Sequence, residues 1–242
     1  MITHTQELGK NRVIKQFRGK TSNIYIVEDH NENATYLIDC GMPSDAENLI
    51  GVLSPELPLK KIACTHFHVD HVAGWVKLKT LWKGSTIFFH ENAMPYVSGD
   101  KRIPFPALAD IKSTLIPCMR EYGYFLNIKD LLSGSLYGTP FQKGFPAERV
   151  EYYMDNEPVL PGFMTIHTPG HRPDSVSFLE PESGVFISGD FLLVLGGNVL
   201  VNKYVSSKKN QDDSVRRIRK MKAIRYIYPG HGVCRPFDPD SL

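Results

Sequence analysis

The chain has 242 residues, 42% of them hydrophobic, enough to bury a large core, and its 28 basic and 26 acidic residues leave a formal charge of +2, which excludes the strong positive field of a protein that coats nucleic acid. No apolar run approaches the roughly 18 residues of a membrane helix, and the N-terminal MITHTQELGKNRVIKQF lacks the apolar centre of a leader peptide. The expectation is a cytoplasmic globular protein with no membrane or nucleic-acid partner, and four scattered cysteines (Cys40, Cys64, Cys118, Cys234) without a C-x-x-C pair predict reduced, mostly buried thiols.

In chain order, short β-branched or aromatic runs predict strands over Arg12–Phe17, Asn23–Glu28 and Ala34–Asp39, with His30–Asn33 as the hairpin turn between the last two. The segment MPSDAENLIGVL predicts a helix, with Pro43 near its start, Ser44 as N-cap, and Ala46, Leu49, Ile50 and Leu53 at helical spacing. A buried strand, KKIACT, follows; Val72–Trp82 reads as helix and Thr86–His90 as strand. The second half repeats this grammar. Val159–Thr168, Ser175–Leu179 and Val185–Ser188 read as strands, NQDDSVRRIRKMKAI as a helix capped by Asn210 or Asp212, and Arg225–Tyr228 as a closing strand. Two strand-rich halves whose helices need a sheet to cover predict two sheets packed face to face with helices outside, an α/β/β/α sandwich of mixed sheets in one domain over 1–242. The stretch from about 92 to 156, rich in proline, glycine and aromatic residues with one helical run (Ala109–Phe125), is expected to be a lid or substrate-binding insertion.

The residues that carry chemistry stand at strand ends. CTHFHVDHVAG follows the KKIACT strand and puts His66, His68, Asp70 and His71 in one turn, with His66 and His68 on the same side of the chain. Imidazoles with a carboxylate suit zinc or iron, and manganese is tolerated. Further metal-capable residues wait beyond other apolar strands, each beside glycine: His171 in TPGH, Asp190 in ISGD and His231 in YPGHG.

This ordered set resembles the metallo-β-lactamase fold superfamily over nearly the full length: Asp39 in IDCG, the H-x-H-x-D-H cluster, then His171, Asp190 and His231. Ala73 departs from the pattern, which commonly has glycine there. The resemblance implies one metal held by His66, His68 and His171, a second by Asp70, His71 and His231, Asp190 bridging both, and Asp39 orienting the ligand-bearing loops. The expected cofactors are two divalent cations, Zn2+ first, with Mn2+ or Fe2+ as alternatives.

Two metals about 3.5–4 Å apart share a water, lower its pKa towards neutrality and polarise a carbonyl or phosphoryl oxygen. The expected activity is therefore hydrolysis, with Asp70 and Asp190 as the catalytic carboxylates. A bridging aspartate resembles the glyoxalase II-type thioesterases, lactonases and nucleases more than the true β-lactamases, and the only basic run, Arg216–Lys222, reads as a solvated helix face. A small ester, thioester or lactone is the favoured substrate, with insertion aromatics as walls and Arg102 or Lys143 for an anionic group. A glutathione-binding helical domain of the glyoxalase II kind is not expected, because eleven residues follow His231. The alternatives are a mononuclear iron persulfide dioxygenase using His66, His171 and Asp190, a phosphodiesterase or nuclease, and a non-enzymatic metal-binding regulator. A homodimer is left open. His90 and His167 end strands and are expected near the site without ligating.

Overall fold

The computed structural model describes residues 1–103, 111–112, 116–125, 127–133, 135–137, 139 and 141–242. Two mixed sheets form its centre. The first runs in the order β1 (Ile2–Gly9), β2 (Arg12–Arg18), β3 (Asn23–Asp29), β4 (Ala34–Ile38), β5 (Leu59–Ala63), β6 (Thr86–His90), β7 (Val150–Tyr153). The first four strands are antiparallel neighbours and the rest join in parallel, as helical crossovers require. The second sheet contains β8 (Met164–His167), β9 (Val176–Glu180) and β10 (Val185–Gly189), continued by β13 (Tyr226–Pro229) and β14 (Arg235–Pro236), while β11 (Leu192–Leu195) and β12 (Asn198–Val201) form a separate hairpin.

The alternation of side chains along the central strands creates the layers. On β3, Tyr25 and Val27 enter the core between the sheets, whereas Ile24 and Ile26 face the outer helices. On β10, Val185 and Ile187 face inward and Phe186 outward. Such strands are apolar on both faces because both faces are covered. The first sheet is covered by α1 (Pro43–Leu49), α2 (Val69–Val72) and α3 (Trp75–Leu81); the second by the hairpin and α7 (Lys208–Arg219). Between them the chain forms α4 (Met94–Val97), α5 (Ile116–Tyr122) and α6 (Ile128–Ser133).

Several local expectations need correction. Met42, not Ser44, precedes α1, where the Asp45 carboxylate accepts the Met42 N–H at 3.0 Å; Ser44 instead donates its hydroxyl to Asp130 at 2.6 Å. Ser207 caps α7 by accepting from Asn210 N at 3.3 Å, in place of the expected Asn210 or Asp212, both of which lie inside the helix. The Val72–Trp82 helix is broken at Gly74, where a Cβ would lie 2.0 Å from the Cys40 carbonyl oxygen; glycine lets these loops meet, and Ala73 is accommodated. Val159–Thr168 is strand only from Met164, because the chain turns at Gly162 (φ +76°). The insertion ends in β7, an integral strand of the first sheet. The helix expected over Ala109–Phe125 extends outside the described residues, within which Ile116–Tyr122 is helical. Strand β1 and the β11–β12 hairpin are additional.

Candidate metal centre

The ends of β4, β5, β8, β10 and β13 open on one edge of the sandwich, and their loops bring all seven expected ligands into two adjoining groups: His66, His68, His171 and Asp190, then Asp70, His71 and His231. In the first, His68 Nδ1 lies 3.0 Å from His66 Nε2 and 3.2 Å from His171 Nε2. Asp190 joins the groups. Its Oδ2 is 3.1 Å from His231 Nε2, 3.7 Å from His171 Nε2 and 3.9 Å from His66 Nε2, while Oδ1 is 3.3 Å from His71 Nε2. Asp70 Oδ2 is 3.6 Å from His231 Nε2 and 3.8 Å from His71 Nε2.

The partners of the outward ring nitrogens assign the ring protons. Asp39 Oδ2 accepts from His71 Nδ1 at 2.8 Å. The Thr65 hydroxyl donates to the same carboxylate at 2.8 Å and accepts from His66 Nδ1 at 3.0 Å. His171 Nδ1 donates to the Tyr204 carbonyl at 2.7 Å. Each partner turns the opposite nitrogen, Nε2, into the site, the arrangement by which polar neighbours orient metal-binding histidines. Asp39 holds a left-handed backbone (φ +61°) at 2% exposure, a strained conformation kept in place by its bonds to the Thr65 N–H (2.7 Å), the Thr65 hydroxyl and His71. Glycine shapes the opposite wall: a Cβ on Gly230 would lie 2.2 Å from Asp190 Oδ1.

Electrostatics divides the five histidines. Burial pushes His66 and His68 well below the ordinary histidine range, neighbouring rings add to the effect, and burial also lowers His171. At His71 burial opposes the charge, but Asp190, Asp39 and Asp70 outweigh it and lift the ring well above that range. His231 is raised likewise, burial being overcome by Asp190, through charge and hydrogen bond, and by Asp70. Burial disfavours the Asp190 carboxylate, yet His231 and His71 hold it well below the usual carboxylate range. One group thus presents three neutral imidazoles; the other balances carboxylates with protons a cation could replace.

The donor set fits two cations. His68 Nδ1, at 3.0 Å from His66 Nε2 and 3.2 Å from His171 Nε2, makes separations that match the edge of a tetrahedron, roughly 3.3 Å for zinc–nitrogen bonds of about 2.05 Å. His71 Nε2 and Asp190 Oδ1, both buried, face each other without a hydrogen bond, polar atoms for which a shared cation would account.

His90 and His167 stand apart from this centre. They stack on one another with centroids 4.3 Å apart, and Asp155 lies 2.8 Å from His90 Nε2 and 3.2 Å from His167 Nδ1. His90 Nδ1 accepts from Asn92 N and His167 Nε2 donates to the Pro173 carbonyl, so these rings tie strand ends of the two sheets together. Cys64 is buried beside Asp39 and Cys40 donates its thiol to the His71 carbonyl at 3.3 Å, a packing role as expected. Sequence reasoning missed Tyr204, whose ring is parallel to that of His68 (centroids 6.1 Å); Tyr124, one of the insertion aromatics expected as walls, meets His231 edge-on at 5.6 Å while its hydroxyl accepts from Gly232 N at 3.2 Å. No periodicity marks Tyr204.

Comparison with known proteins identifies the family. A sequence profile described as the metallo-beta-lactamase superfamily matches residues 18–231. The chain is similar to the probable metallo-hydrolase YflN of Bacillus subtilis (strain 168), 27% identical over 179 residues covering 72% of this chain and 62% of that one, and to the uncharacterized protein YobT of the same organism, 25% identical over 179 residues covering 72% and 64%. It therefore spans less than two thirds of the length of these curated relatives. Among solved structures, TTHA1623 in a di-iron-bound form shares the fold, with a TM-score of 0.60 and 24% identity over 91% of this chain and 92% of that one. With the profile spanning most of its length, the chain belongs to the metallo-beta-lactamase superfamily.

Proposed function

We propose that the protein is a hydrolase with two divalent cations, zinc first, that cleaves an ester, thioester or lactone bond of a small molecule. The carrying observation is Asp190, whose two oxygens face the two ligand groups at once, Oδ2 towards His66, His171 and His231 and Oδ1 towards His71. Family membership and the resemblance to a probable metallo-hydrolase support the reading.

His66, His68 and His171 would hold one cation and Asp70, His71 and His231 the other, with Asp190 shared. Cations so placed supply a water activated at neutral pH and a Lewis acid for the carbonyl. The protein's own groups do the rest. Asp70, with 22% side-chain exposure, is the most open carboxylate of the centre and stands where it can take a proton from the attacking water, whereas Asp190 (8%) and Asp39 (3%) are enclosed. Asp39, Thr65 and the Tyr204 carbonyl hold the imidazoles in place. The Tyr124 and Tyr204 rings wall the centre on two sides, suiting a partly apolar acyl group. The balanced net charge supports a small substrate over nucleic acid.

Elemental mass spectrometry on protein purified without added metal, beside His71→Ala and Asp190→Ala variants, tests the reading. About two cations per chain, falling towards one in His71→Ala, and hydrolysis of an ester, thioester or lactone lost in Asp190→Ala are expected. A single iron untouched by His71→Ala would overturn it.

A further inference from the structure

Next to His171 stands a guanidinium that is paired in charge with Asp174 but keeps hydrogen-bond donors unused. Arg172 follows His171 directly and is 3% exposed, yet its Nε and Nη2 have no hydrogen-bond partner. The neighbouring carboxylate leaves it short: Asp174 Oδ1 is 3.7 Å from Nε, beyond hydrogen-bond range, and Asp174 Oδ2 accepts the Phe67 N–H at 2.7 Å. A buried guanidinium with idle donors is costly unless something completes it.

Its surroundings resemble a recognition site. The guanidinium carbon sits 4.4 Å from the centre of the Tyr96 ring, which fixes the plane of the fork. The Tyr96 carbonyl in turn accepts from Gln142 Nε2 at 2.6 Å, and the Gln142 carbonyl accepts from the exposed Arg102, so the stacking ring is held by the insertion's own hydrogen bonds. Tyr96 and Arg102 come from the insertion and Arg172 from the metal loop, so the fork lies where the insertion meets the reaction centre.

We propose that Arg172 is the residue that recognises the substrate's anionic end, and that the substrate carries a carboxylate remote from the bond cleaved. A planar fork with idle donors matches a carboxylate, and Asp174, 3.7 Å from Nε, favours a monoanion over a phosphate dianion. This inference rests on the hydrolase reading for its substrate, and its test separates the two.

The test compares 4-nitrophenyl hydrogen adipate with 4-nitrophenyl hexanoate, equal in chain length but differing in the terminal carboxylate, on metal-loaded wild type, Arg172→Gln and Arg172→Lys. Wild type is expected to favour the carboxylate ester by about tenfold or more in kcat/KM. Arg172→Gln should lose that preference through KM while turning over the hexanoate within about twofold of wild type, and Arg172→Lys should fall between them. Equal losses on both esters, or none, would overturn the assignment and leave the hydrolase intact. Should neither ester be turned over, the metal-content test decides the hydrolase reading on its own, and thermal melting of the metal-free protein with adipate or adipamide decides the anion site. A rise with adipate alone, absent in Arg172→Gln, supports it; an equal rise in both proteins, or none, refutes it. If the glutamine variant does not fold, Arg172→Lys carries both comparisons, because it keeps the charge and loses the fork.

Discussion

Replacing Asp39 by alanine strikes the centre without touching a candidate ligand. The carboxylate accepts from Thr65 N at 2.7 Å, from the Thr65 hydroxyl at 2.8 Å and from His71 Nδ1 at 2.8 Å, all in buried surroundings. Each buried donor left unpaired costs about 1–3 kcal/mol, and a hydroxyl can turn elsewhere, so the backbone N–H and the imidazole dominate and roughly 2–6 kcal/mol is lost. Alanine is also less at ease than aspartate in the left-handed conformation at φ +61°, so the backbone adds to the loss. His71, freed to rotate, should hold its cation about 10–100-fold more weakly, while the His66, His68 and His171 group, reached only through Thr65, should weaken less. Urea unfolding of the metal-free protein and competition with a chelator for the two metal equivalents measure these effects separately. Unchanged affinity for both equivalents, with stability within about 0.5 kcal/mol of wild type, would refute the account of Asp39 as the group that orients His71.

Gly230→Ala should displace Asp190, since the added Cβ would lie 2.2 Å from its Oδ1; we expect at least about a hundredfold loss of kcat with most of the fold retained, checked by turnover and circular dichroism. The two metal equivalents should differ in pH dependence. His71 and His231, raised by their carboxylates, stay protonated to higher pH and must release protons when a cation binds, so affinity at that group should climb with pH until the raised values are passed. His66, His68 and His171, lowered by burial, are already neutral near pH 7, so the other equivalent should be nearly flat there; calorimetric titration in buffers of different ionisation enthalpy reads the proton release. Away from the centre, Arg12→Ala would strand the buried Glu180, its partner at 3.1 Å, and should cost about 3–5 kcal/mol in urea unfolding, whereas a surface pair such as Lys10–Glu182 should contribute less than about 1 kcal/mol.

The candidate ligands were legible because the fold places them at strand ends next to glycine, where local sequence carries both the residue type and the turn. The layers were legible because β3, β4, β9 and β10 are buried on both faces and read as mostly apolar runs rich in β-branched and aromatic residues. Strand β1 was not, since ITHTQELG alternates exposed and half-buried residues at a sheet edge with little apolar content. The β11–β12 hairpin did carry a signal, Gly196 and Gly197 between the runs Leu192–Leu195 and Asn198–Val201. His90 and His167 show the limit of placing residues by strand ends, because both stand at such ends and yet group with each other and Asp155, apart from the seven expected ligands.

Family, layer order and the roster of metal-capable residues thus follow from the chain read in one dimension, because each depends on residue type and short-range spacing. Three matters were decided in three dimensions. The two ligand groups are defined by which loops meet across the sandwich, the split between neutral and protonated histidines by burial and the carboxylates each ring faces, and the idle donors of Arg172 by the packing of the insertion against the metal loop. All three are long-range consequences of sheet packing, which juxtaposes residues far apart along the chain and removes water from around them.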